Sequence, residues 1–202
     1  MAPSTTDPLT VQTEIIGDGV PVGLCGSAYV DFLARAHRVG LLNHRGRFQR
    51  DNLPAGAADL IVDAHPGRAL RVATGAGGQL ITVSEADIAR LLQAKAAIAA
   101  GILTLLSVCG VSPEDVQTLY LAGGFGSHVD PASAVGCGLL PGFHPDQVRV
   151  LGNSALAGAY LALLDSSALD ELSAISRGIA IVELNRDPGF EQRYIRQLSL
   201  PR

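Results

Sequence analysis

The chain has 202 residues, 48% hydrophobic and 17% charged, with a net charge of −4. That is enough to bury a core in one domain, or one and a half small ones, and the missing basic stripe argues against nucleic acid as a partner. No apolar run reaches the length needed to span a bilayer, and the start, Met1 to Pro8, lacks the charged and apolar regions of a signal peptide.

The first ten residues are polar and proline-bearing and read as a flexible terminus. Val11 to Ile16 alternates and is rich in β-formers, which predicts a strand ending at Gly17-Asp18-Gly19. Pro21 to Ser27 is a glycine-rich loop entering a helix from about Ser27 to Val39, with Gly40 as its stop. The N–H groups freed at Gly26 and Ser27 can hold an anion. The alternative is a helix packed closely through Gly26.

Gly40 to Pro66 is irregular and reads as an insertion or linker, extending to about residue 68, and its Arg/His-rich part from His37 to Arg50 reads as a solvated loop. Ala69–Ala73 and Gln79–Val83 flank Gly75-Ala76-Gly77-Gly78 as a hairpin. Ser84 and Asp87 form a capping box that opens the strongest helical segment of the chain. Ile88, Leu91, Leu92, Lys95, Ile98, Ala99, Ile102, Leu105 and Leu106 keep its period, and Gly110 ends it. Gln93 and Lys95 are polar residues in its alanine-rich middle. The Lys95 amine either reaches a pocket or snorkels to solvent.

Leu119-Tyr120-Leu121 reads as a buried parallel strand that runs into Gly123, Gly124, Phe125 and Gly126. A glycine pair at the carboxyl end of such a strand lets a flat ligand approach the backbone; it also serves as a plain strand-to-helix turn. The dinucleotide fingerprint and the P-loop are both excluded by spacing. Asp130 and Pro131 open a short helix over 132–137. Val148–Leu151 with Gly152-Asn153-Ser154 and a helix through Leu164 repeats the strand, turn and helix unit of an α/β sheet. A last strand is predicted over Ile179–Leu184 and a last helix over Pro188–Gln197. The dispersed cysteines, Cys25, Cys109 and Cys137, read as reduced core residues of a cytoplasmic protein, and they cannot build a four-cysteine centre.

Taken in order, Gly23-Leu24-Cys25-Gly26-Ser27, Gly40-Leu41-Leu42, Gly46-Arg47-Phe48, Gln93 to Ile98, Leu121 to Gly126, Gly138 to Pro141 and Gly152 to Ala155 form a distinctive series. Over residues 11–202 the chain resembles the C-terminal part of the reductive activators of corrinoid proteins. Those are ferredoxin-fused ATPases of the acetate/sugar kinase, chaperone and actin superfamily. The resemblance implies an α/β fold: one ribonuclease-H-like ATPase lobe, its mixed sheet flanked by helices. It also implies ATP or ADP with Mg²⁺, adenosine support from Gly123, Gly124 and Phe125 beside Gln93 and Lys95, and a corrinoid protein as partner. The family's [2Fe–2S] cluster belongs to an N-terminal region that this sequence lacks. The superfamily's Asp-x-Gly-Thr hairpin is absent too, Asp18-Gly19 being the nearest fragment. The reading is therefore a fragment or a split subunit that self-associates or needs a complementing chain. The competing readings are a non-catalytic interaction lobe and a partial small-molecule kinase.

Overall fold

The computed structural model describes residues 9–17, 19–51 and 53–202. Most of the residues expected to form a flexible terminus, and Asp18 of the Gly17-Asp18-Gly19 turn, lie outside them. Helix α1 (Gly26–Arg38) buries Leu33 and Ala36 and ends on Arg35, His37 and Arg38, which suit the negative end of its dipole. Three antiparallel strands follow, β1 (Ile61–Asp63), β2 (Arg68–Thr74) and β3 (Leu80–Ser84), in the order β1-β2-β3. The expected hairpin is β2–β3, and its register pairs Leu70 with Val83, both buried. Strand β1 was missed because three residues are too short to display alternation.

Two expectations for the first third fail. Val11–Ile16 forms no strand: the residues are exposed and unladdered, and alternation without a pairing edge does not hold an extended segment. The segment after Gly40 is irregular but is no linker. Leu41, Leu42, Phe48 and Ala57 are core residues, and Leu42 bridges Phe48.

Helix α2 (Glu85–Cys109) is the spine. Ser84 and Asp87 make the capping box, and Gly110 closes the helix with φ 65°. Ile88, Leu92, Ala96, Ala99 and Thr104 put one side of it into the core. Contrary to the sequence reading, α2 is by length and composition long and apolar enough to cross a membrane. One side of it meets the core and helix α6 (Phe190–Gln197), where Arg193 bonds Asp187, Thr104 and Ser107, while Ile98, Leu105 and Val108 remain exposed.

The second sheet holds parallel strands β4 (Leu119–Ala122) and β5 (Val148–Gly152). Between them lies helix α3 (Pro131–Gly136), capped by Asp130 and packed on α1. So the fold is α/β as expected, its antiparallel and parallel strands lying, among the described residues, in two sheets flanked by helices. Strand β4 is not the buried central strand expected. Tyr120 is 64% exposed, and among the described residues only β5 pairs with it.

After β5 come α4 (Ser154–Leu164) and α5 (Ser167–Gly178), neither with a buried residue. Helix α5 was not anticipated. The strand expected over Ile179–Leu184 is irregular chain entering a short turn at Leu184–Arg186, and Ile181 is exposed. Its β-branched residues have no sheet edge to join. Among the cysteines only Cys137 is buried; Cys25 and Cys109 are exposed, not core residues.

Candidate functional site

The glycine loop after β4 is built by its own backbone. Gly123, at φ 95°, donates its N–H to the Gly152 carbonyl at 2.8 Å, tying the ends of β4 and β5 together. Ser127 closes the loop twice, N–H to the Gly123 carbonyl at 3.0 Å and hydroxyl to the Gly124 carbonyl at 2.8 Å. Gly126 is buried, and a Cβ there would sit 3.0 Å from the Leu121 side chain.

Gly124 differs from its neighbours. Its φ is ordinary and a Cβ would meet nothing within 4 Å, so nothing in the chain demands a glycine there. Gly123 is equally open on its side-chain face. Both stand at the carboxyl ends of parallel strands, where open α/β sheets receive ligands. Phe125 follows, 53% exposed, with its ring on Gly26: a Cβ at Gly26 would lie 2.7 Å from it.

The first glycine-rich loop is thereby brought against the second. The α1 N-terminus has no side-chain cap, so its first N–H groups are open to a polar ligand. The Cys25 sulfur lies 3.1 Å from the Ser27 hydroxyl, and that bond, with the Ala28 N–H, holds the thiol below its usual value. The tip of the β2–β3 hairpin joins this end of the molecule too, because a Cβ at Gly75 would lie 2.9 Å from the Pro21 carbonyl oxygen. Sequence reading placed Gly75 in a turn but had no signal for this contact. It likewise missed Gly152 as the partner of Gly123.

Gln93 and Lys95 are placed differently. Two residues apart on a helix, they point about 200° from one another, and Gln93 is exposed while Lys95 is only 4% exposed. The Lys95 amine donates to the Ser199 carbonyl at 2.8 Å and lies beside Gly138 and Pro201. Burial lowers its pKa, partly offset by Cys137, while burial raises the Cys137 thiol. Lys95 is thus directed to the C-terminal segment and Phe125 to α1.

Two open concavities lie away from the glycine loops. The larger, about 950 Å³, is walled by Arg47, Arg50, Asp63, Arg68 and Glu85. Its Glu85 carboxylate is already engaged by Arg47 at 3.1 Å and by the Phe48 N–H at 3.1 Å. The smaller, about 380 Å³, follows the C-terminal segment from Arg196 to Arg202. Size alone does not make either the site; at Gly123 and Gly124 the loop after β4 presents backbone whose side-chain face meets no atom within 4 Å among the described residues. Among the described residues no three metal-ligating side chains cluster.

A family profile described as the C-terminal domain of RACo, the ASKHA domain, matches residues 3–202. The corrinoid activation enzyme RamQ of Eubacterium limosum is 34% identical over 199 residues, which is 92% of this chain and 32% of RamQ. A reductase of Methanosarcina barkeri, named for the Co(II) methylated amine-specific corrinoid protein, is 32% identical over 60% of this chain and 23% of its own length. A solved reductive activator for a corrinoid, iron–sulfur protein superposes with a TM-score of 0.81 at 32% identity, covering 90% of this chain and 29% of that one. The chain spans about a third of the length of RamQ and of the solved activator.

Proposed function

Because this chain belongs to the family of RACo C-terminal ASKHA domains, we propose that it is the nucleotide-contacting lobe of a corrinoid-protein reductive activator. Gly123, Gly124 and Phe125 lie against the adenosine, and the open N–H groups at Gly26 and Ser27 face the phosphates. The observation that carries this reading is Gly124, a glycine with ordinary φ and empty space at its Cβ position. A flat ligand supplies the reason for it that the chain does not.

ATP or ADP with Mg²⁺ is the nucleotide of this reading, and the site on this chain is half a cleft. In this reading the phosphate-binding hairpin is supplied by further polypeptide, since no Asp-x-Gly-Thr sequence occurs in these 202 residues. A [2Fe–2S] cluster does not fit this chain, because Cys25 and Cys109 are exposed, Cys137 is buried and no cluster of metal-ligating side chains includes them. The activity of the whole activator, ATP-driven electron delivery to an inactivated cobalt centre, therefore needs more than these residues. The corrinoid protein is its partner.

Saturation-transfer NMR with ADP tests the site, since it reads the weak, millimolar binding that half a cleft offers. Transfer to the adenine and ribose protons is expected, with its loss in Gly124→Val while the folded spectrum is kept. Equal transfer in wild type and Gly124→Val overturns the assignment. The second reading, an interaction lobe without nucleotide, is favoured by the apolar exterior of α4 and α5, and undiminished assembly with no transfer at all would establish it.

A further inference from the structure

The segment that follows α6 is tied down at three successive residues. The Lys95 amine donates to the Ser199 carbonyl, and the Leu200 N–H donates to the His44 carbonyl, each at 2.8 Å. The third tie is His37 on α1, whose Nε2 lies 2.8 Å from the Pro201 carbonyl oxygen. Leu200 is buried, so these bonds flank a core side chain.

The His37 ring is unusual in what its other nitrogen meets. Nδ1 lies 3.1 Å from the Leu42 carbonyl oxygen, so both ring nitrogens face a group that only accepts. A neutral imidazole carries one N–H; it satisfies one carbonyl and sets a lone pair against the other. Only the imidazolium donates to both. Position favours that form too, because His37 stands in the last turn of α1, at the negative end of the helix dipole. The charged and titratable groups around it are Arg35 and Arg38 on that turn, His44 and Arg45 on the loop that follows, and Arg202 beyond Pro201. Lys95 and Cys137 lie under the tied segment, and their cationic member opposes a further positive charge, as the arginines do. Helix α3, packed on α1, has no titratable side chain, and the nearest acid on α1 is Asp31. Among the described residues no carboxylate bonds the ring, so the two carbonyls and the helix end are what call for the proton.

We propose that His37 is a proton-operated clasp on the segment after α6. Charged, the ring bridges the Leu42 and Pro201 carbonyls and joins α1, the loop after it and the segment. Neutral, it gives up one of the two, and the segment rests more on Lys95 and His44. A histidine changes charge between about pH 5 and 8, so the clasp works in the physiological range. Loosening the segment uncovers the Lys95 amine, because Ser199 accepts its bond and Pro201 packs with it beside Gly138.

Ring 15N NMR and amide exchange of the 202-residue chain, at about pH 5.5 and about pH 8, test the clasp. Two ring protons are expected on His37 at the lower pH and one at the higher. The Leu200 amide should open about tenfold more readily at the higher pH, after allowance for faster intrinsic exchange, as fits the loss of one charged hydrogen bond. His37→Gln keeps a donor but takes up no proton, so its Leu200 protection should be nearly equal at both pH values. His44→Gln should keep the wild-type dependence, since His44 serves through its backbone carbonyl. The same number of His37 ring protons at both pH values overturns the proposal, as does equal Leu200 protection in wild type. A pH dependence that survives in His37→Gln assigns the effect to another group, Lys95 first, and overturns it as well. Should His37→Gln fail to fold, the wild-type proton count and Leu200 exchange decide by themselves.

Discussion

Lys95 is the residue with the most unusual environment. It is buried with one described hydrogen bond, to Ser199, and its pKa is lowered chiefly by that burial. A base with a depressed folded value binds fewer protons when folded than when unfolded. Its contribution to stability therefore improves as pH rises from the lowered value towards 10.5. Lys95→Met removes that slope, so urea unfolding of wild type and variant should converge as pH is raised through the window. Cys137, raised by burial, works in the opposite direction in the alkaline range and is present in both proteins. Near neutral pH the variant should lie above wild type by up to about 1 kcal/mol, because a methionine of similar volume removes a desolvated charge. Gly26 is the second residue of note. Gly26→Ala pushes the half-exposed Phe125 ring off α1, which should shift the Phe125 resonances while changing thermal stability by less than about 1 kcal/mol.

At the scale of the element, α2 owes its start to reciprocal bonds. The Ser84 hydroxyl accepts the Asp87 N–H at 3.1 Å and donates to the Asp87 carboxylate at 2.6 Å, while the Ser84 N–H bonds that carboxylate at 3.0 Å. Asp87 is held below its usual value, the Ser84 bond being the largest cause. A carboxylate with a depressed folded value stabilises above its unfolded value and loses that contribution as pH falls through the folded one. Ser84→Ala should destabilise the chain by about 1 kcal/mol at neutral pH, with the difference shrinking in acid. An equal difference at both pH values refutes the capping box as the cause. Strand β4 and its glycine loop are held by a different element, β5, through Gly123 and Gly152. The loop is therefore only as rigid as a two-stranded sheet, which is marginal without cover.

For the whole molecule, the unequal distribution of apolar surface decides behaviour. Leu33, Leu41, Leu42, Phe48, Ile88 and Leu200 make a dry core around α1, α2 and the antiparallel sheet, while α4 and α5 have none of their residues buried. The isolated chain should self-associate and bind a hydrophobic dye, with no ATP hydrolysis; a stable monomer turning over ATP refutes the half-cleft reading. The purified chain should also stay iron-free after anaerobic reconstitution. Stoichiometric iron and sulfide would mean that Cys25 or Cys109 shares a cluster across chains.

The sequence alone determined whatever depends on local chemistry. The capping box at Ser84, the αL stop at Gly110, the cap at Asp130 and the two strand, glycine turn and helix units are written in neighbouring residues, and each is found in place. The ordered motif series was also legible, and it led to the family that the comparisons bear out. Pairing was not legible. Val11–Ile16 and Ile179–Leu184 carry strand composition yet form none, because a strand exists only where another offers its edge. Leu119–Leu121 reads as central, yet Tyr120 is exposed and among the described residues only β5 pairs with the strand. Tertiary structure alone decided that Phe125 lies on Gly26, that Gly75 meets Pro21 and that Lys95 faces Ser199, since these contacts join residues far apart in sequence. It also decided that the bulky side of α4 points outward: apolar content shows how much surface wants cover, and only packing shows which surface did not receive it.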